Sequence, residues 1–122
     1  MKLTNNQIYT YATALAAAFQ DSAQRFPIKA NFYLQKNKET LLAMAQDIEK
    51  ARMDLLNGYG HLDEETNRFI IDDDKIALAS KELEDLFNLE QEVNIYTVDI
   101  DSFGDEAVLT TGQMEALLFM IN

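Results

Sequence analysis

The feature that most constrains this fold is the stretch between Pro27 and Gly58, thirty residues that contain neither glycine nor proline. From Thr40 onward its apolar side chains recur every three or four residues, which is typical of an amphipathic helix. Residues 28–34 alternate apolar and polar as in a strand, although Pro27 also suits the start of a helix. We favour the helix, and predict a central helix that begins at residue 28 or 40 and ends at Asn57.

Two further helices are predicted by a start signal that occurs twice in the chain, the capping box. Thr4 and Gln7 fit a capping box, in which each side chain bonds the backbone of the other residue, and so do Thr110 and Gln113. The first of these helices should run as far as the only proline. The last is apolar around most of its circumference, which predicts burial in the core or against a partner.

The rest of the chain predicts one more helix and a small amount of strand. The carboxylates of 72–74 suit the positively polarised start of a helix whose apolar stripe runs from Ile76 to Phe87. Residues 61–71 could form a small hairpin, and 92–100 form the best strand candidate, with 61–71 or 28–34 as its partner. We therefore predict a mostly helical α+β fold of about four helices and a small two- or three-stranded sheet, in one compact domain over residues 1–122.

The charge is divided unequally between the two halves. The chain has 21 acidic and 10 basic residues, a formal net charge of −11. Residues 1–60 carry a net charge of +2, and residues 61–122 carry −13. A chain so poor in clustered lysine and arginine is a weak candidate for binding nucleic acid directly. The acidic half instead predicts a partner protein with a basic surface.

The predicted partner-binding residues are the carboxylates of this acidic half. Their placement could mimic the phosphates of a nucleic acid. They are Asp63, Glu64, Glu65, Asp72, Asp73, Asp74, Glu82, Glu84, Asp85, Glu90, Glu92, Asp99, Asp101, Asp105 and Glu106.

No catalytic motif is present in the sequence. The absence of cysteine excludes disulfides and thiolate chemistry, and the single histidine, His61, excludes a site with two imidazoles from one chain. We expect His61 to be exposed. Residues 99–104 resemble the opening of a calcium loop, but Phe103 and Thr110 occupy positions that need oxygen ligands and a glutamate. We predict a non-enzymatic protein without cofactor or metal, and keep a metal-dependent enzyme as the third candidate.

The termini predict a cytoplasmic protein. Residues 1–7 contain no apolar run behind a basic start, so no signal peptide is expected. The longest apolar stretch, Met114 to Ile121, is too short to cross a bilayer of about 30 Å. It could instead pack between two copies of the chain and form a homo-oligomer.

Several segments together resemble a known group of proteins. They are Lys2–Ile8, Pro27–Lys29, Ile48–Arg52 with Tyr59–Gly60, Glu92–Ile95, and Leu109–Leu117 with Phe119–Ile121. In this order they resemble small uncharacterised proteins encoded by phages and prophages of Gram-positive bacteria. The resemblance covers most of the chain and implies action inside the host or on the virion. It supplies no catalytic residues.

We therefore expect a phage accessory protein that binds and inhibits a host protein, for example a CRISPR-type defence nuclease, through its acidic surface. The alternative is a tail, head or assembly component of the virion.

Overall fold

The computed structural model describes residues 1–20, 25–104 and 109–122. Within them the fold is mostly helical α+β, as predicted. The strand residues form two separate two-stranded antiparallel sheets instead of one. The helices are α1 (Asn5–Ala18), α2 (Ile28–Asn57), α3 (Ile76–Asn88) and α4 (Thr111–Leu117); the strands are β1 (Lys2–Thr4), β2 (Gly60–Asp63), β3 (Arg68–Ile71) and β4 (Glu90–Glu92).

Both capping boxes are confirmed. The Gln7 backbone N–H donates to Thr4 Oγ1 at 3.1 Å, and the Thr4 N–H donates to Gln7 Oε1 at 2.9 Å. Thr110 and Gln113 repeat this pair of bonds at α4. Such a box satisfies N–H groups that have no partner within the helix, so it fixes the starting residue locally.

The predicted end of the first helix is wrong. The helix stops at Ala18 instead of continuing to the proline, and Phe19 already has non-helical backbone angles. The cause is tertiary, because the Gln113 side-chain amide donates to the Ala18 carbonyl at 2.9 Å. This bond satisfies a carbonyl at the end of the helix.

The central helix is continuous from Ile28 to Asn57, so the strand alternative for 28–34 is excluded. Pro27 occupies the position just before the helix, and its carbonyl accepts the first helical bond from Asn31. Proline is favourable there because the first turn lacks N–H partners in any case. Thirty residues at 1.5 Å each make α2 about 45 Å long.

The core lies between α1, α2, α4 and the chain that follows β4. Its apolar side chains are buried along one stripe of each helix. Leu117 and Met120 are buried in it as well. The C-terminal segment is therefore inserted into the chain's own core, although Leu118 is 64% exposed. The fully buried apolar residues on the helices include Ile8, Leu15, Leu34, Leu41 and Leu117.

The predicted strand over residues 92–100 is wrong in its extent and its partner. Only Glu90–Glu92 form a strand, and they pair with Lys2–Thr4 instead of residues 61–71 or 28–34. After Val93 the chain remains extended without a strand partner. Val98 makes an isolated parallel bridge to Ile121. Val93 and Val98 are nevertheless buried in the core that the helices share.

A buried amide replaces the missing strand partner. The Asn37 side chain, which is fully buried in α2, accepts from the Tyr96 N–H at 2.9 Å and donates to the Tyr96 carbonyl at 2.8 Å. One amide thus satisfies both polar groups of an extended residue, as a neighbouring strand would. The cost of burying Asn37 is offset because both of its polar atoms are bonded.

The carboxylates of 72–74 do not cap α3 directly. Asp73–Lys75 form a 3₁₀ turn, and α3 starts only at Ile76. Asp72 precedes this turn without a side-chain capping bond. Its carboxylate instead lies near His61 and Lys75, so the predicted capping role of Asp72 is wrong.

Candidate protein-interaction surface

The most exposed described feature is the hairpin formed by β2 and β3. Its register pairs Gly60 with Ile71 and Asp63 with Arg68. Glycine is required at position 60, because a Cβ there would clash with the carbonyl oxygen of Ile70. The predicted hairpin over residues 61–71 is confirmed.

The hairpin turn is closed by a carboxylate. Asp63 accepts from the Glu65 N–H at 3.1 Å and from Thr66 Oγ1 at 2.9 Å. Asn67 completes the turn at φ 56°, which asparagine tolerates better than most residues. This chemistry explains a hairpin without an Asn-Gly or Asp-Gly pair. It also holds the charged side chains of Glu64 and Glu65 at the tip, exposed to solvent.

Apolar side chains are exposed on both faces of this hairpin. Leu62, 55% exposed, lies opposite Phe69, and Ile70 lies opposite the exposed His61. Within the part of the chain that the structure describes, each of these strands has a single strand partner. A two-stranded hairpin with exposed apolar residues is marginally stable alone and is suited to contact a partner. The predicted exposure of His61 is confirmed.

Surface contacts attach the hairpin to α3. The Tyr59 hydroxyl hydrogen-bonds the Glu82 carboxylate, and this bond raises the tyrosine pKa above its usual value. His61 Nδ1 lies 3.5 Å from Asp72 Oδ1, and Lys75 Nζ lies 4.0 Å from Asp72 Oδ2. None of these groups is buried, so the contacts orient the hairpin but contribute little stability.

The fifteen predicted carboxylates do not form one continuous surface. Of the thirteen described, ten are exposed, three are half-buried and none is buried. The other two, Asp105 and Glu106, lie outside the described residues. The thirteen fall into the hairpin and its base (Asp63, Glu64, Glu65, Asp72, Asp73, Asp74), helix α3 (Glu82, Glu84, Asp85), strand β4 (Glu90, Glu92) and the turn before Phe103 (Asp99, Asp101).

Some of these carboxylates are already paired within the chain. Glu90 lies 3.5 Å from Lys2 Nζ, and Glu92 lies 3.7 Å from the N-terminal ammonium. Asp99 accepts from the Asn122 side chain. The densest group of carboxylates, in which only Asp72 has an ion-pair partner in the described chain, is at the C-terminal end of α2. Residues 54–75, which we name the acidic end, contain seven acidic and two basic residues.

The opposite end of α2 has the reverse charge. Residues 25–38, which we name the basic end, contain four basic residues and no acidic one. Lys29 Nζ lies 6.0 Å from the centre of the Tyr33 ring, and Lys36 Nζ lies 5.6 Å from that of Phe32. Phe32 is 53% exposed and Ile28 is 88% exposed. Cations over exposed aromatic rings form a surface that favours acidic, partly apolar partners.

The sequence patterns indicated neither the exposed apolar hairpin nor this basic end. Residues 61–71 were expected only as a possible hairpin, and the basic residues of 25–38 belong to a half of the chain whose net charge is close to zero. One usable signal was Asn37, a polar residue in line with Leu34 and Leu41 on the apolar stripe of α2. A polar residue at such a position is buried only if its bonds are satisfied, so it implies a specific partner.

The described residues contain no group of three or more histidine or carboxylate side chains placed to hold a metal ion. In the segment that resembles a calcium loop, Phe103 is buried against the core and packs edge-on against Phe26 at 5.2 Å. Its position is explained by packing. A groove of about 550 Å³ between α1 and α4 is lined mainly by small residues, with Tyr11 and Glu115 as its titratable side chains.

No protein family model, curated protein or solved structure matches this chain. No helix in residues 1–20, 25–104 or 109–122 is long and apolar enough to cross a membrane.

Proposed function

We propose that this chain is a non-enzymatic binding protein whose acidic end contacts a partner protein with a basic surface. The observation that supports this proposal is the hairpin, where exposed carboxylates lie beside exposed Leu62, Phe69 and Ile70. Carboxylates speed and orient the approach to a basic partner. Buried apolar contact at the centre of an interface supplies most of the affinity.

The class of partner is proposed from the resemblance to phage and prophage proteins. We propose a host protein whose basic groove normally holds nucleic acid. A CRISPR-type defence nuclease is one such protein. The acidic end would occupy the groove and exclude the nucleic acid by its bulk and its charge. This mechanism requires neither a cofactor nor a catalytic residue.

The test compares two variants with the same loss of charge. The first neutralises Glu64, Glu65 and Asp73 to the corresponding amides, and the matched control neutralises Glu39, Asp47 and Glu115, which are not among the predicted partner-binding residues. All six side chains are exposed and take part in no described ion pair. Both variants should therefore fold, which circular dichroism checks.

Each protein is immobilised and exposed to a lysate of the bacterial host at low and at moderate salt. We expect the wild type and the control to retain the same basic protein, and the acidic-end variant to lose it. The proposal fails if both variants retain it equally, or if the wild type retains none. Inhibition is then measured with the purified partner, as loss of its nucleic-acid binding.

A second candidate function is a virion or assembly component. The observation that favours it is the opposite charge of the two ends of α2, because unlike ends allow copies to join in a row. The C-terminal helix, which the sequence suggested for self-association, buries Leu117 and Met120 in its own chain and leaves Leu118 exposed.

A further inference from the structure

The basic end has no charge partner in the described chain. Neither Lys29 nor Lys36 lies within ion-pair distance of any described carboxylate. Both ammonium groups lie over aromatic rings instead. Asp99 and Asp101 belong to the turn that packs near the start of α2, and Asp99 accepts from Asn122. The lysines are therefore available to another molecule.

The basic end is also held in one arrangement. Tyr33 stacks on Tyr96, with ring centres 4.9 Å apart and planes 10° apart. Tyr96 is fixed in turn by its two bonds to Asn37. A surface that is ordered before binding loses less conformational entropy when a partner arrives. The patch of Ile28, Phe32 and the two lysines is thus prepared for contact.

The acidic end carries the complementary features. It has a net charge of −5, whereas the basic end has +4. Leu62 and Phe69 are exposed beside its carboxylates, as Ile28 and Phe32 are beside the lysines. Along α2, Lys36 of the basic end and Asp54 of the acidic end are about 27 Å apart. No ion pair joins the two ends within the described chain. Two copies can bring them into contact.

We infer that the basic end of one copy binds the acidic end of a second copy, so that the chain associates head to tail. The inference depends on the second proposed function, and it names the partner of that assembly. A contact between two different surfaces leaves one of each free, so association continues into a row or closes into a ring. The salt dependence should be strong because the contact is partly electrostatic.

The first experiment is sedimentation velocity over a range of concentrations at low and moderate salt. We expect the wild type to associate at low salt, and Lys29→Gln with Lys36→Gln to weaken association by about tenfold or more. The matched control is Lys50→Gln with Lys81→Gln, two exposed lysines outside the basic end. It makes the same change in net charge and should associate like the wild type.

The second experiment mixes two disabled variants. The basic-end variant retains an intact acidic end, and the acidic-end variant described above retains an intact basic end. Each alone should be monomeric. Together they should form a one-to-one dimer that grows no further, because only one complementary pair of surfaces remains. A symmetric interface, in which both copies use the same surface, would not give this result.

A wild type that stays monomeric at low salt would overturn the inference, as would association that persists in the basic-end variant. Binding of labelled single-stranded DNA that depends on Lys29 and Lys36 would also overturn it, by assigning the basic end to nucleic acid. The binding function proposed first is tested separately. If the basic-end variant still retains the basic partner from the lysate while self-association is absent, only the head-to-tail inference is lost.

Discussion

The two ends of helix α2 differ in how they are held as well as in charge. The basic end belongs to the core: Asn37 is fully buried, and Phe26 and Phe103 pack edge to face at 5.2 Å. The acidic end contains the hairpin, which is attached by surface contacts such as that of Tyr59 with Glu82. Helix α2 thus presents a rigid surface at its N-terminal end and a weakly attached hairpin at its C-terminal end. Regions with few buried contacts open at lower free energy than the core.

The largest expected effect tests the rigidity of the basic end. Asn37→Ala removes both bonds to Tyr96, leaves the backbone groups of Tyr96 unpaired and creates a small cavity. We expect the free energy of unfolding to fall by about 3 kcal/mol. Urea unfolding measures it. Asn31→Ala, at an exposed position on the same helix, should change little; equal losses in both variants would contradict the role of Asn37.

The next effect tests the acidic end. Gly60→Ala places a Cβ against the Ile70 carbonyl oxygen and 2.9 Å from Phe69 Cε1, so the hairpin must distort. We expect a loss of about 2 kcal/mol, with hydrogen-exchange protection lost mainly in the hairpin. Gly58→Ala is the control, because its Cβ would lie 3.3 Å or more from its neighbours and its φ is −74°. Loss of protection in the core instead of the hairpin would show that the ends are not independent.

A smaller effect tests the attachment of the hairpin to α3. The bond to the Glu82 carboxylate raises the pKa of Tyr59. The stability that this bond contributes is therefore fully present below the ordinary tyrosine pKa near 10 and is lost as the pH rises through the raised value. Ultraviolet titration should show that Glu82→Gln lowers the pKa of Tyr59, whose signal is identified by its loss in Tyr59→Phe. An unchanged titration would mean that Glu82 does not hold the hairpin.

The smallest effect concerns an ion pair near the acidic end. Arg52 donates to both carboxylate oxygens of Glu49, at 2.6 and 2.9 Å, and lowers the pKa of that carboxyl below its ordinary value of 4.5. Its contribution is present above this ordinary value and is lost as the pH falls through the lowered one. Glu49→Gln should therefore be slightly less stable than the wild type at neutral pH, and equal to it in acid. A difference that persists in acid would indicate packing instead of charge.

Much of the helical structure was predictable because its signals are local. The Thr4 and Thr110 capping boxes depend on residues three positions apart. Helix α2 depends on a run of residues without glycine or proline. The end of α1 was not predictable, because it depends on Gln113, 95 residues away. The same applies to β4, whose partner lies at the other end of the chain.

For the candidate site, the sequence predicted an excess of acidic residues in the second half but could not show how they are grouped. The structure pairs Glu90 and Glu92 with the N-terminus and leaves Glu64, Glu65, Asp73 and Asp74 without cations. Neutralisation of a surface charge depends on which residues meet across the fold. Net charge alone therefore predicted the sign of the charge on the partner's surface, but it did not predict which residues make the contact.

The sequence by itself determined the presence of the helices, the starting residues of α1 and α4, and the unequal charge of the two halves, since these depend on composition and short-range bonds. Only the tertiary structure decided which apolar residues are covered, where Asn37 finds its partner, and that opposite charges lie at the two ends of one helix. Burial and pairing are set by contacts between residues far apart in the chain, and a local pattern carries no information about them.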